Sequence, residues 1–121
     1  MDILGEALSI PVKRNETGAT NERGALIRVT IEQWEHVLER HPQDFSFSDY
    51  EIILDAIADP DYILRGQTGA RIAAVNYGKS FLHVIYRELD KHEGFFITAF
   101  YKPDIDRKLV IWRKHEQDKD D

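Results

Sequence analysis

The chain has no cysteine, so it holds no disulfide, no thiolate metal ligand and no thiol nucleophile. It also has no apolar run near the roughly 18 residues that a membrane-crossing helix requires. The start, Met1-Asp2-Ile3-Leu4-Gly5-Glu6, lacks the basic lead and long apolar stretch of a secretory signal. Together these make a cytoplasmic protein that does not enter membranes the expected reading. Phosphate-loop and dinucleotide fingerprints are missing too. Gly66-Gln67-Thr68-Gly69 is a turn with no helix pattern opening after it. Neither Ser48 nor Ser80 has the surroundings of a nucleophile elbow, which leaves acyl-transfer hydrolysis without support.

What is present suffices for one core. The 121 residues are 42% hydrophobic and fit a single domain. Lys and Arg number 16 against 22 Asp and Glu, which argues against a generic nucleic-acid binder. The charge is unevenly spread, however. Residues 30–61 contain nine acidic residues and one basic, Arg40, whereas residues 62–114 contain ten basic and five acidic. Such asymmetry either marks a polyanion-facing surface on the second half or follows from acidic helices and basic strands.

The pattern predicts helices followed by strands. Thr30 and Gln33 form a capping box, Ile31, Trp34 and Leu38 recur at helical spacing with Val37 at the edge of the stripe, and Pro42 ends the segment. Phe45 and Phe47 follow in a loop tucked against the core. Ser48-Asp49-Tyr50-Glu51 reads as a second capping box, opening a helix with Ile52, Ile53, Ala56 and Ile57 that stops at Asp59-Pro60. From Ala70 the period changes to two. Segments 70–77, 81–87, 95–101 and 109–112 read as strands joined by short loops, hence an antiparallel meander. Ala25–Val29 is a further candidate strand. The expected architecture is α+β, with N-terminal helices packed on a four- to five-stranded antiparallel sheet. Residues 1–24 read as a weakly structured segment, with an edge strand at 7–12, residues 25–114 as the single domain, and 115–121 as a charged tail.

The histidines are the first candidates for chemistry. His36 and His41 are five apart, about 140 degrees around a helix of 3.6 residues per turn, which is not metal-ligand geometry. A zinc-protease helix would space them four apart around a glutamate. No metal and no cofactor is called for. Metal-free RNA cleavage has modest needs: a group to take the 2′-hydroxyl proton, another to protonate the leaving 5′-oxygen, and a cation for the phosphorane charge. His36 or His41 could serve with Lys79, His83, Arg87, Thr98, Tyr101 and Lys102 from the strands. Alternation puts His83 and Arg87 on one face; Thr98 shares a face with Phe96 and Phe100, and Tyr101 points oppositely unless a bulge intervenes. Singly, each has a plainer account: Thr98 as an ordinary strand former, Tyr101 as a rim aromatic, Arg87 as a solvated strand residue, His36 as solvated and His41 as a core-edge residue.

Four ordered pieces carry a resemblance: Trp34-Glu35-His36-Val37 with Arg40-His41-Pro42, Ile57-Ala58-Asp59-Pro60-Asp61-Tyr62-Ile63, Phe81-Leu82-His83-Val84-Ile85-Tyr86, and Gly94-Phe95-Phe96-Ile97-Thr98-Ala99-Phe100-Tyr101. Over about residues 28–112 the chain resembles the phage-associated barnase/EndoU/colicin/RelE-like (BECR-type) nucleases. The resemblance implies a metal-independent endoribonuclease, of toxin or phage type, cleaving RNA by acid–base transphosphorylation. It implies His36, His41, Thr98 and Tyr101 as catalytic residues, with Arg87 and Lys79 following as basic positions; Arg87 is expected among the catalytic residues, and Lys79, His83 and Lys102 as substrate contacts. RNA is the partner implied, with a cognate antitoxin or immunity protein as the inhibitor class. Members acting as toxins are usually basic, whereas this chain is acidic. The alternatives are a non-catalytic RNA- or protein-binding domain on the same fold, and a structural accessory protein of a phage particle.

Overall fold

A computed structural model describes residues 14–15 and 18–114. The strand expected at 7–12 and the charged tail lie outside the described residues. Among them are two helices, α1 (Ile31–Arg40) and α2 (Tyr50–Ala58), and one mixed sheet. Seven strands have three residues or more: β2 (Gly18–Thr20), β3 (Leu26–Arg28), β4 (Tyr62–Arg65), β5 (Arg71–Asn76), β6 (Phe81–Glu88), β7 (Glu93–Lys102) and β8 (Val110–Arg113). A two-residue pairing, β1 (Arg14–Asn15), extends one edge. The order across the sheet is β1-β2-β3-β7-β6-β5-β4-β8.

This corrects the expected fold. Helices on a four- to five-stranded antiparallel sheet become two short helices on a larger mixed sheet. Of the expected meander, 70–77, 81–87 and 95–101 pair in order as β5-β6-β7, with β4 an unexpected strand beside β5. However, β3 lies parallel to β7, with Leu26 opposite Glu93 and Arg28 opposite Phe95. Both helices and strands β4 to β6 lie in the connection from β3 to β7, which is long enough to join two parallel strands of one sheet. The last strand does not continue the meander: β8 pairs with β4, on the far side of the sheet from β7. The stretch before Ala25 also supplies strand β2, in which Ala19 is fully buried.

Both helix starts depart in detail from the capping pattern. Thr30 Oγ1 accepts from the Gln33 amide at 3.1 Å, as a cap should, but the Gln33 side chain turns away and donates to the Ile97 carbonyl at 2.6 Å. The second box sits two residues earlier than Ser48: the Ser46 amide donates to Asp49 at 2.8 Å, and a 3-10 turn (Phe47–Asp49) precedes α2. On α1 the buried residues are Trp34 and Val37, while Ile31 is exposed. Of the two loop aromatics, Phe45 is buried and Phe47 exposed.

The main core lies between the helices and one face of the sheet. Trp34, Val37, Ile53, Leu54 and Ile57 meet Ala73, Leu82, Val84, Tyr86 and Ala99 there. Alternation assigns the other face its own small core. Leu64, Ala74 and Phe81 are covered by Ile105, from the segment that carries the chain from β7 across to β8. One bulge interrupts β7: Tyr86 pairs with Phe96 but Ile85 with Thr98, so Ile97 is the extra residue. Phe96 therefore joins the main core while Thr98 falls in register with Ile85, instead of sharing a face with Phe96 as unbroken alternation requires.

Candidate nucleic-acid interface

The bulge is where α1 meets β7. Because β3 pairs only with residues 93–95, the edge of β7 beyond Phe95 has no strand on that side among the described residues, and α1 lies there. The amide of Gln33 holds the carbonyl of Ile97. Around this contact His36, Arg40 and Thr98 line a hollow of about 340 Å³ with Gln33, Val37 and Ile97. His36 and Arg40 are four apart on the helix and so share a face. Among the described residues the hollow's lining includes no carboxylate. Glu39 stands outside it, 4.0 Å from His36 Nδ1, and the His36 side chain is 64% exposed.

Ile97 also borders a second hollow, of about 640 Å³, on the sheet face turned away from the helices. Its rim carries Arg65, Arg87 and Lys102, and its floor is aliphatic, with Ile72, Ile85 and Leu109. Arg87 is braced here. Its guanidinium donates to the Thr68 carbonyl and, at 3.0 Å, to Thr68 Oγ1. Thr68 is itself in the left-handed region at φ 50, a conformation few residues other than glycine adopt. Lys102 lies over the Phe100 ring, 5.3 Å from its centre.

The remaining expected site residues fall elsewhere. His41 ends α1, its amide donating to Val37 O at 2.8 Å and its Nδ1 lying 3.7 Å from Asp44. Its ring meets Phe45 edge-on at 6.4 Å, and Phe45 stacks on Tyr101 at 5.3 Å. His41 and Tyr101 thus share a neighbourhood on the helix side, separated by a phenylalanine. Burial pushes the Tyr101 phenol above its ordinary pKa, and Tyr77, Asp49 and Asp44 act the same way, so it stays protonated. His83 is only 4% exposed, stacked on Phe100 at 5.2 Å with Nδ1 3.1 Å from the Phe81 carbonyl. Burial lowers its pKa and the charge of Lys102 adds to that, against the opposing effect of the Phe81 hydrogen bond, so it is neutral near pH 7. Lys79 is exposed in the turn between β5 and β6.

The structure therefore gathers His36 with Thr98, Arg87 with Lys102, and His41 with Tyr101. The first two groups adjoin through Ile97; the third does not share their lining. Arg40 and Arg65 are additions. Arg40 is legible as the i+4 neighbour of His36. Arg65 is signalled only by lying at the end of a short apolar run. Among the described residues no cluster of three or more His, Asp or Glu is arranged to hold a metal ion, and no helix is long and apolar enough to cross a membrane. Comparisons with protein-family models, with curated proteins and with solved structures return no match.

Proposed function

We propose that the chain is a metal-independent endoribonuclease whose reacting group is His36. The observation that carries this reading is the hollow that brings His36, Arg40 and Thr98 together. The sequence resemblance to BECR-type nucleases implies the same roles for His36 and Thr98. His36 takes the proton of a ribose 2′-hydroxyl, and the freed oxygen attacks the adjacent phosphorus. Arg40 steadies the added negative charge on the phosphorane, and the Thr98 hydroxyl orients the phosphate. The bond to the 5′-oxygen breaks, water in the open hollow protonates that oxygen, His36 returns its proton to the hydroxide so formed, and the products end in a 2′,3′-cyclic phosphate and a 5′-hydroxyl. His41 and Tyr101 support the fold beside this hollow instead of entering it. The setting is cytoplasmic, with a cognate antitoxin or immunity protein as the partner that restrains it.

A non-catalytic RNA-binding domain is the second reading, favoured by the separation of His41 and Tyr101 from His36. Purified protein incubated with mixed cellular RNA in EDTA decides between them. The wild type is expected to yield 2′,3′-cyclic phosphate ends, and His36→Ala to slow cleavage by about a hundredfold to ten-thousandfold. Absence of cleavage by the wild type would leave the binding reading. Equal cleavage by both proteins would place the chemistry elsewhere.

A further inference from the structure

The hollow on the far side of the bulge has a composition that the cleavage step does not use. We infer that it seats a neighbouring nucleotide of the RNA strand, its phosphate on Arg65, Arg87 and Lys102 and its base on the aliphatic floor. This deepens the ribonuclease reading and rests on it for the strand's direction of approach, but the binding itself stands on separate observations.

The first is charge. In a protein with a formal net charge of −6, this lining includes, among the described residues, three cations and no carboxylate. Arg65 is exposed and has no ion-pair partner among the described residues, so its guanidinium is available to an anion. Arg87 is fixed in place by Thr68, which spares an incoming phosphate the entropy of ordering that side chain. The second is the floor. Ile72, Ile85 and Leu109 are partly exposed beneath these cations. A bare inorganic anion gains nothing from such a surface, whereas a nucleobase buries a flat apolar face on it. A cationic rim above an aliphatic floor fits a ligand with one charged end and one apolar ring. The third is continuity. Ile97 lines this hollow and the one holding His36, so one strand can pass around the bulge and occupy both.

The test uses a fluorescein-labelled pool of random-sequence 2′-O-methyl RNA hexanucleotides, which cannot form the cyclic phosphate and so report binding alone. Fluorescence anisotropy is expected to show saturable binding, weakened about tenfold or more in an Arg65→Gln, Lys102→Gln double variant, where two charge-assisted contacts are lost. Both side chains are exposed, so the fold should survive; Arg87→Lys, which keeps the charge but not the two-pronged hold on Thr68, gives a second reading and should weaken binding less. Lys114→Gln, which removes a cation paired with Asp59 outside both hollows, should bind as the wild type does. Methyl resonances of Ile72 and Ile85 should shift on adding the pool. Undiminished binding by the double variant, or no binding by the wild type, overturns the inference. Nucleoside 5′-monophosphates that bind as tightly as the pool would make this a site for a free nucleotide and overturn its assignment to the strand. Wild-type binding without any RNA cleavage in EDTA would refute the nuclease reading and leave this site standing.

Discussion

At the scale of single residues, the best-fixed polar groups lie away from the proposed site. Arg71 is 8% exposed and lies among Glu22, Tyr86 and Glu88, its Nε donating to the Tyr86 hydroxyl at 3.2 Å. The Asn21 side-chain amide donates to that hydroxyl and, at 2.7 Å, to Glu88. Burial alone would raise the Glu88 pKa, but hydrogen bonds from Arg23 and Asn21 and the charge of Arg71 outweigh it, and the net direction is down. The sign of the linkage follows. A carboxyl whose folded pKa is depressed stabilises the fold at pH values above its unfolded pKa, and that stability is lost as pH falls through the folded value. Glu88→Gln is therefore expected to be less stable than wild type at pH 7. The gap should close as pH drops below the ordinary glutamate value of 4.5. Urea midpoints measured from pH 7 to pH 3 check this; a gap independent of pH would show that shape, not charge, is what Glu88 contributes. None of this network was legible as a network in the sequence. Asn21 and Glu22 are some 50 and more positions from Arg71, Tyr86 and Glu88, and no local pattern joins them.

At the scale of elements, legibility follows the range of the interactions involved. The alternation of Ile72 and Ala74 against Ala73 and Val75 correctly divides β5 between the two cores, because side-chain direction in a strand is a local property. The end of α1 at Arg40 is local too, set by Pro42. What sequence could not supply was pairing at a distance: β3 beside β7, β8 beside β4, and the bulge at Ile97 that moves Thr98 out of the Phe96 face. These depend on which strands meet. Part of the candidate site inherits that limit, since His36 and Thr98 were both legible as residues but their shared hollow depends on the bulge. The antiparallel pairing of β6 with β7 leaves one local trace, at Gly94. A Cβ there would lie 2.3 Å from the Arg87 carbonyl and 2.8 Å from Glu88 Cα, both backbone atoms of the neighbouring β6. Gly94→Ala must therefore push β6 and β7 apart beside β3. It is expected to cost about 1–3 kcal/mol, the usual penalty of overpacking, read from urea unfolding. Stability equal to wild type would mean that the register near Gly94 differs from the one described.

At the scale of the whole molecule, the uneven charge of the sequence becomes a division between sides. The acidic residues 30–61 form the helical layer and its loops, and much of the basic charge of residues 62–114 rides on the strands and on the segment crossing their other face. A net charge of −6 therefore does not bar a polyanion; it restricts where one is held. Arg40, on the outward side of α1, stands with the sheet-side group Arg65, Arg87 and Lys102 around Ile97. If Arg40 holds one phosphate and the sheet-side group a second, affinity for single-stranded RNA must fall with salt, because each neutralised phosphate releases condensed counterions. For single strands the logarithmic slope is about −0.7 per neutralised phosphate, so two give a slope of about −1.4. Raising salt from about 50 to about 500 mM should then weaken binding of the 2′-O-methyl pool about 25-fold. The Arg65→Gln, Lys102→Gln double variant should make the slope shallower by up to about 0.7. Lys114→Gln should leave it unchanged, since Lys114 pairs with Asp59 on the helical side at 3.1 Å. A slope near zero for the wild type would mean that these cations do not hold the strand. A slope that changed equally in both variants would mean that RNA responds to the overall charge of the protein, with no defined track around the bulge.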